Sequence, residues 1–418
     1  MIVFKFGGAS VRDSAGIKNL SNIVKLCSDE KMIVVVSALG KTTNALELIL
    51  DLSYNNVSES KNKLKDLEQY HFSIIENLFA DKLQVIHNDI KSEFKKLYHT
   101  LYNVSISDKN CKYDQVVSFG EIISTKIIST YLNFVNLKNV WVDARELIVT
   151  NDTFREAKVD YKKTKNEAEN IFKFDKQSLY ITQGFIAGTS NKKTTTLGRE
   201  GSDFSAAILA NVLDAEKVVV WKDVDGVLNA DPQYFQNPIK LEKLSYQETV
   251  ELAYFGAKVI HPKTLKPLHN KNIPLQVRSF INTQNEGTLI HCFDEYDQNL
   301  PVFILKKHQV LISLFPKDLS FVIEDELSRI FKYLSEHRIK VNLIQNSAIS
   351  ISFCIDNSNS DVKTLIALLK QNYKVLYNDS LELLTVRHYT DEAINGVIAG
   401  KKIFIEQRSR HTAHFVIK

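Results

Sequence analysis

No window of the sequence approaches the ~18 consecutive apolar residues that a membrane-spanning helix needs, so nothing in it reads as a transmembrane segment. Cysteine is scarce. The four residues Cys27, Cys111, Cys292 and Cys354 stand apart, with no CxxC spacing. That argues against a zinc site or a disulfide framework and fits a reducing cytoplasm. Charge is close to balance, at a formal +4 from 53 basic and 49 acidic side chains. The lysines are interleaved with acids, so no basic patch suggests a nucleic-acid or membrane partner. The first residues, MIVFKFGGASV, lack the basic region and long apolar stretch of an export signal. A cytoplasmic protein is expected. The mononucleotide P-loop is missing too: Gly40, Lys41 and Thr42 resemble its end, but the glycine required five residues earlier is Val35.

What is present reads as an α/β protein of two or three domains, with 44% hydrophobic and 24% charged residues over 418 positions. Short β-branched runs at Ile2 to Phe6, Met32 to Ser37 and Lys217 to Asp223 carry little period-two alternation, as strands buried on both faces do. Ser178 to Gly184 and Pro274 to Ser279 add two more. Helical faces lie between them, at Ile17, Leu20, Ile23 and Val24, and at Ala206, Ala207, Leu209, Ala210 and Leu213. This alternation predicts a three-layer αβα arrangement around a mostly parallel sheet over residues 1–297. Residues 58–110 read as a charged helical excursion without a catalytic part, with Leu64, Leu67 and Phe72 at helical spacing. Residues 298–418 change pattern. Strand Val310–Phe315, helix Ile323–His337, strands Val341–Ile344 and Ile349–Ile355, helix Asp361–Gln371 and strand Tyr373–Asn378 give a ferredoxin-like βαββαβ order. A strand at Leu381–His388, a helical piece to Gly400, and strands Lys402–Gln407 and Thr412–Lys418 are too short for a full second copy.

Five segments, and the short Thr42–Asn44 stretch beside them, carry chemistry. In KFGGAS, Lys5 ends a predicted strand, and Gly7, Gly8 and Ser10 follow where a helix should begin. Glycines in such a turn let backbone N–H groups approach phosphate oxygens, and the lysine adds a full positive charge. A plain βα turn with a surface lysine is the competing interpretation. Thr42, Thr43 and Asn44 suggest a hydroxyl-rich loop suited to a carboxylate. In SFGEIIST, Glu121 is placed at a helix start, where it would either favour the dipole or receive a substrate ammonium.

From Ile181 to Ala210, a strand leads through Gln183, Gly184 and Phe185 to Gly198, Arg199, Glu200, Gly201, Ser202 and Asp203. Arg199 suits a bidentate grip on a carboxylate. Ser202 is expected to cap the following helix, and Asp203 lies in its first turn. In WKDVDGVLNADP, the loop after Lys222 and Asp223, with Asn229 and Asp231, leaves the carboxyl end of a strand, where open α/β sheets bind ligands. An ordinary Asp-Gly and Asp-Pro turn pair, common in any loop, is the competing interpretation. In FGAKVIHPKTL, Gly256 fits a helix end, Lys258 is a second phosphate lysine, and Pro262 suits a helix start. His261 is read as structural, since no second metal-type residue stands at ligand spacing.

In this order the five segments resemble the aspartate kinases of the amino-acid kinase group, over Met1 to about residue 390. The resemblance implies an amino-acid kinase catalytic domain followed by ACT-like regulatory modules, the second shortened. It implies phosphorylation of the aspartate side-chain carboxylate by ATP, at the head of lysine, threonine and methionine biosynthesis. Lys5 and Lys258 would stabilise the transferring phosphoryl group, with Asp203 holding them. Gly7, Gly8, Ser10, Lys222, Asp223, Asn229 and Asp231 would line the nucleotide. Thr43, Glu121, Phe185, Arg199 and Ser202 would bind aspartate. Mg²⁺ would arrive on ATP without direct protein ligands, and the ACT-like region would form a homodimer.

The chemistry agrees with the residue types. A carboxylate nucleophile is already ionised at neutral pH, so alignment and charge neutralisation suffice and no general base is needed.

Departures from the family pattern are Ala9 for Thr, Glu200 for Gly, Lys222 for Thr, Asp225 for Pro and Gln233 for an Arg that contacts nucleotide phosphates. Lysine-sensitive members carry acids where this chain has Asn342 and Ala348, which predicts weak or absent feedback by lysine. Length and the absence of a GxGxxG turn argue against a fused homoserine dehydrogenase. Two other readings remain: a kinase of the same group acting on another substrate, and a non-catalytic amino-acid sensor.

Overall fold

A computed structural model of the chain describes residues 1–79, 84–104, 106–257, 260–293, 300–318, 321–322, 324–357 and 361–418. It divides into two compact units. One comprises 1–227, 240–250 and 259–294; the other comprises 228–239, 251–258 and 295–418. Residues 294–299, where the expected domain boundary falls, and Ile323, the expected helix start, lie outside the described residues.

The first unit is built on an eight-stranded sheet among the described residues. Its strands run, edge to edge, Lys243–Ser245, Thr288–His291, Leu275–Ser279, Lys217–Lys222, Ile2–Phe6, Met32–Val36, Leu179–Gln183 and Val140–Val142. All neighbours are parallel except Leu275–Ser279 with Thr288–His291. Every residue of Ile2–Phe6, Met32–Val36 and Leu179–Gln183 is buried, because helices cover both faces. Ile2–Phe6 lies centrally, between Met32–Val36 on one side and Lys217–Lys222 on the other. The chain thus winds away from its first strand in both directions, and the crevice at the carboxyl ends opens beside Lys5 and Phe6.

The charged excursion forms helices Val57–Phe79 and Gln84–Tyr102. Leu64, Leu67, Ile74, Ile75, Ile86, Ile90, Phe94 and Leu97 join the main core, so sparse apolar positions at helical spacing suffice to bury one stripe.

Four local expectations change. The helix after KFGGAS starts only at Ser14, capped by Asp13, whose Oδ1 accepts the Gly16 N–H at 2.8 Å. Thr42 and Thr43 are not a loop but the first turn of helix Thr42–Asn55. Glu121 does not open a helix; it lies in the middle of Lys109–Phe134, too far from the end for the dipole to explain it. Helix Gly201–Val212 is preceded by Glu200 in the left-handed region (φ 52°), so Ser202 is inside the first turn and is not its cap. Among the described residues no helix is long and apolar enough to cross a membrane.

The second unit contains a six-stranded antiparallel sheet, ordered Val341–Ser347, Ser350–Asp356, Val302–Pro316, Tyr373–Arg387, Thr412–Ile417 and Ile403–Arg408. Helices Glu324–Glu336 and Asp361–Asn372 accompany its first part, with a core of Val310, Ile312, Leu314, Ile330, Phe353 and Leu365. Helix Asp391–Ile398 places Ile394 against Leu384, Val386 and Phe415.

The segments read as separate strands at Tyr373–Asn378 and Leu381–His388 are one strand of 15 residues, paired with the 15-residue Val302–Pro316. Register shifts between Lys306 and Leu311, and left-handed backbone at His308 and Ser380, bend this ribbon without ending it. The polar breaks looked like turns for that reason. Two expected modules therefore share a continuous sheet.

Candidate active site

Lys5 is the fourth residue of the central strand, and its ammonium lies inside the fold. Its Nζ is 2.6 Å from Asp203 Oδ1, with the two side chains 10% and 5% exposed. Asp203 comes from the first turn of helix Gly201–Val212, whose N-terminal end faces the same crevice. Burial alone would raise the Asp203 pKa, but the charges of Lys5 and Lys222 outweigh it and hold the carboxyl below its ordinary value. The Asp203 carboxylate is therefore ionised across the physiological range.

The glycine turn closes around this pair. A Cβ on Gly7 would stand 3.5 Å from Lys5 Nζ, an ordinary contact. A Cβ on Gly8 would stand 2.6 Å from the Ala38 carbonyl oxygen and 2.8 Å from that of Gly40, which no side chain tolerates. Gly8 accepts the Gly40 N–H at 2.9 Å, and Ser10 donates its N–H to Gly7 at 3.0 Å. The loops after the first two strands are thereby pinned together, with glycine required at the point of contact.

The amino-acid candidates lie around the ends of the adjoining strands. Glu121 is 2% exposed; its Oε1 accepts from Thr43 Oγ1 at 3.4 Å, and among the described residues its Oε2 has no hydrogen-bond partner. Burial pushes its pKa up to about 8, against hydrogen bonds from backbone and from Thr43. Gly120 lets its helix approach: a Cβ there would meet Ala38, Thr42 and Leu46 at 3.1–3.3 Å. A buried carboxylate with one unsatisfied oxygen is a binding place for a cation.

Phe185 has left-handed backbone (φ 70°), and its N–H donates to Ser205 Oγ at 2.9 Å, a tie the sequence did not reveal. Ser202 packs against Gly184, where a Cβ would be 2.5 Å from its own. Arg199 is exposed and, among the described residues, makes no ion pair. Its neighbour Glu200 accepts the His261 N–H at 3.1 Å. The left-handed φ at Glu200 is the conformation glycine takes easily, which accounts physically for a glycine being common there.

The remaining candidates divide. Lys222 ends its strand close enough to Asp203 to depress its pKa, and Asp223 follows in an exposed bend. Asn229 and Asp231 belong to the second unit. Asn229 is buried and its amide is fully engaged: Nδ2 donates to the Pro301 carbonyl at 3.0 Å and Oδ1 accepts the Ile239 N–H at 2.7 Å. Asp231 Oδ1 accepts the Gln233 N–H at 2.9 Å, a turn contact. Lys258 lies outside the described residues. His261 is structural, capping helix Pro262–Asn270 through its ring nitrogen to the Lys263 N–H at 3.2 Å.

The model of the amino acid kinase family matches residues 1–279. Lysine-sensitive aspartokinase 3 of Escherichia coli is 31% identical over 364 residues, which are 86% of this chain and 79% of that protein. A bifunctional aspartokinase/homoserine dehydrogenase of Buchnera aphidicola is 31% identical over 400 residues, 91% of this chain and 47% of that protein. Across the first curated relatives it matches, all bifunctional, the chain spans 32–47% of their length. The crystal structure of E. coli aspartokinase III in complex with lysine and aspartate has a TM-score of 0.85 at 28% identity, with 100% of this chain and 95% of that one covered.

Proposed function

The chain belongs to the amino acid kinase family, in its aspartokinase branch, and we propose that it transfers the γ-phosphoryl group of ATP to the side-chain carboxylate of L-aspartate, giving 4-phospho-L-aspartate. The observation that carries this reading is the buried Lys5–Asp203 pair beside the Gly7–Gly8 turn. Lys5 is a fixed ammonium in a poorly solvated place, where it stabilises charge on a transferring phosphoryl group far better than it would in water. Asp203 keeps that ammonium oriented before substrate arrives, so little reorganisation is left for the reaction itself. Gly7, Gly8 and Ser10 offer backbone to the phosphates, and Lys222 and Asp223 extend the nucleotide side. Lys258, Asn229 and Asp231 are retained in the nucleotide role on the resemblance alone.

On the acceptor side, Glu121 presents its unsatisfied oxygen to the substrate ammonium, with Thr43 orienting it. Arg199 takes the α-carboxylate, and Phe185 and Ser202 form the wall between. The side-chain carboxylate is then left free to attack. Mg²⁺ bound on the ATP phosphates supplies Lewis-acid neutralisation of the developing charge. The ion is expected to arrive with the nucleotide.

The reaction would open lysine, threonine and methionine biosynthesis in the cytoplasm, in a homodimer formed through the second unit. Lysine is not the expected effector. Asn342 Oδ1 accepts the Lys306 ammonium at 2.9 Å, and Asn342 Nδ2 donates to Gln309 Oε1 and Asp356 Oδ1 at 2.9 and 3.0 Å. An internal cation already uses the position where lysine-sensitive members carry an acid.

A coupled ADP-release assay tests the whole reading: turnover with aspartate, none with glutamate or UMP, and initial rates unmoved by lysine. No aspartate-dependent ADP release would sink it.

A further inference from the structure

Helix Lys109–Phe134 carries a second buried acid, Asp114, two turns before Glu121 and with no part in the chemistry above. It is fully buried, and that burial raises its pKa while hydrogen bonds from Arg155 and Thr196 pull the other way. Its contacts all go to one place. Oδ2 accepts the Arg155 N–H at 2.9 Å and the Thr196 N–H at 3.0 Å, and Oδ1 accepts the Thr196 hydroxyl at 2.8 Å. The adjacent Gln115 adds a bond to the Thr194 carbonyl at 3.1 Å. Thr196 is the last residue of strand Thr194–Thr196, three positions before Arg199.

The Arg155 turn continues the connection. Arg155 adopts left-handed backbone (φ 70°), a conformation unfavourable for a residue with a Cβ and kept only where surroundings enforce it. Asp114 holds its N–H, and its guanidinium lies 3.9 Å over the Tyr113 ring. Ala157 returns its N–H to the Thr196 carbonyl at 2.9 Å. Gly198 then passes so close to this turn that a Cβ would be 3.1 Å from Glu156 Cγ and 3.2 Å from the Arg155 carbonyl oxygen. The next residue is Arg199.

From these contacts we infer that Asp114 is a positioning residue for Arg199. One rigid helix would then carry Glu121, which takes the substrate ammonium, and also the anchor for the loop that takes its α-carboxylate. A seven-residue separation on a helix fixes about 10 Å of axial distance. The distance between the two grips on the amino acid is thereby built into a single element. This inference rests on the aspartate-binding roles proposed for Glu121 and Arg199.

The consequence is confined to one substrate. Asp114→Asn replaces an acceptor by an amide whose N–H₂ opposes at least one of the three donors. The KM for aspartate should rise on the order of tenfold to a hundredfold, the scale of a substrate grip misplaced by about an ångström. The KM for ATP, and kcat at saturating aspartate, should stay within about twofold. Thr196→Val removes only the hydroxyl contact and keeps the shape, so it should move the same constant in the same direction by less. Hydrogen exchange at residues 194–200 should be faster in both variants, a readout independent of activity.

A folded Asp114→Asn protein with unchanged KM for aspartate, or with both KM values and kcat altered alike, overturns the inference. So does unchanged exchange at 194–200 in folded Thr196→Val, should Asp114→Asn not fold. Absence of aspartate turnover in the unaltered protein would instead overturn the reading on which the inference stands.

Discussion

Lys5 and Asp203 are nearly two hundred positions apart in the chain and meet at 2.6 Å in a place where both are almost wholly buried. A buried ion pair of this kind is weak evidence of stability, because desolvation of both charges offsets most of their attraction. Removing one partner is different: it strands the other. Lys5→Met should therefore destabilise the protein by about 3–5 kcal/mol and Asp203→Asn by a comparable amount. The double variant should recover much of the lost Tm, since neither charge remains. All three should be severely impaired, with kcat for Lys5→Met lower by about 10²–10³-fold or more. Thermal denaturation paired with the ADP-release assay separates the two effects. A double variant no more stable than the singles would show that the pair is not the energetic unit described here.

Glu121 makes the clearest pH prediction. Its pKa is raised to about 8, so the empty site holds a protonated carboxyl at neutral pH. A substrate ammonium needs the ionised form, and binding must expel the proton. The KM for aspartate should accordingly fall by up to about tenfold per pH unit as pH rises toward 8, and level off above it. Calorimetry near pH 7 in buffers of different ionisation enthalpy should register proton release on binding.

The same group has an opposite effect on folding. Its folded pKa lies above the unfolded one, so the native state binds more protons between pH 4.5 and 8, and stability declines as pH rises through that window. Glu121→Gln should abolish aspartate turnover while raising Tm by several degrees above pH 8. A pH-independent KM across 6.5 to 8.5 would contradict the assignment.

The two glycines of KFGGAS are predicted to behave differently, although the sequence presents them as equals. Gly7→Ala places its methyl in ordinary contact with Lys5 Nζ and should fold normally, with activity reduced through the phosphate side. Gly8→Ala forces a methyl to within 3 Å of two carbonyl oxygens and should cost about 1–3 kcal/mol, separating the first two strand-end loops. Comparing Tm for the two single variants decides it; equal stability would mean the loops are not pinned as described.

The pattern of what the sequence disclosed follows from the range of each interaction. Ile2–Phe6, Met32–Val36 and Lys217–Lys222 could be read directly because strands buried on both faces need continuous β-branched runs, a local property. Lys5, Gly8, Arg199 and Asp203 drew attention because glycines and charges crowd together only where backbone or ligand demands them; the structure joins Lys5 to Asp203 and packs Gly8 against Ala38 and Gly40, while Arg199 stands exposed. Ser205, which holds Phe185, and Asp114 were not legible: a serine or aspartate inside a helix looks like any other polar position until its distant partner is known. The placement of Glu121 at a helix start failed for a related reason. Asp108 caps that helix thirteen residues earlier, and the intervening KNCKYDQVV carries too little apolar periodicity to announce it. In the second unit, Tyr373–Asn378 and Leu381–His388 read as two strands, whereas they are one, paired across a bulge between Lys306 and Leu311.

That bulge leads to the last prediction. Gln309 is fully buried beside it, with Nε2 donating to Asp356 Oδ1 at 2.7 Å and Oε1 accepting from Asn342 at 2.9 Å. Lys306 donates to the other end of the Asn342 amide, and burial lowers its pKa while Asp356 opposes that. Each member satisfies the next, so the cluster is sensitive to removal of its centre. Asn342→Ala leaves the amide of Gln309 and the ammonium of Lys306 short of partners and should cost about 1–3 kcal/mol. Asn342→Asp keeps an acceptor for Lys306 but turns a donor into a second acceptor facing Gln309 Oε1 and Asp356. It introduces a second negative charge beside Asp356, so it should also destabilise, and more at high pH than at low pH, where the added carboxyl can protonate and donate. Denaturation of both variants at pH 5 and 8 checks the sign. An Asn342→Asp protein more stable at pH 8 than the parent would mean that Lys306 is not already balanced by the cluster.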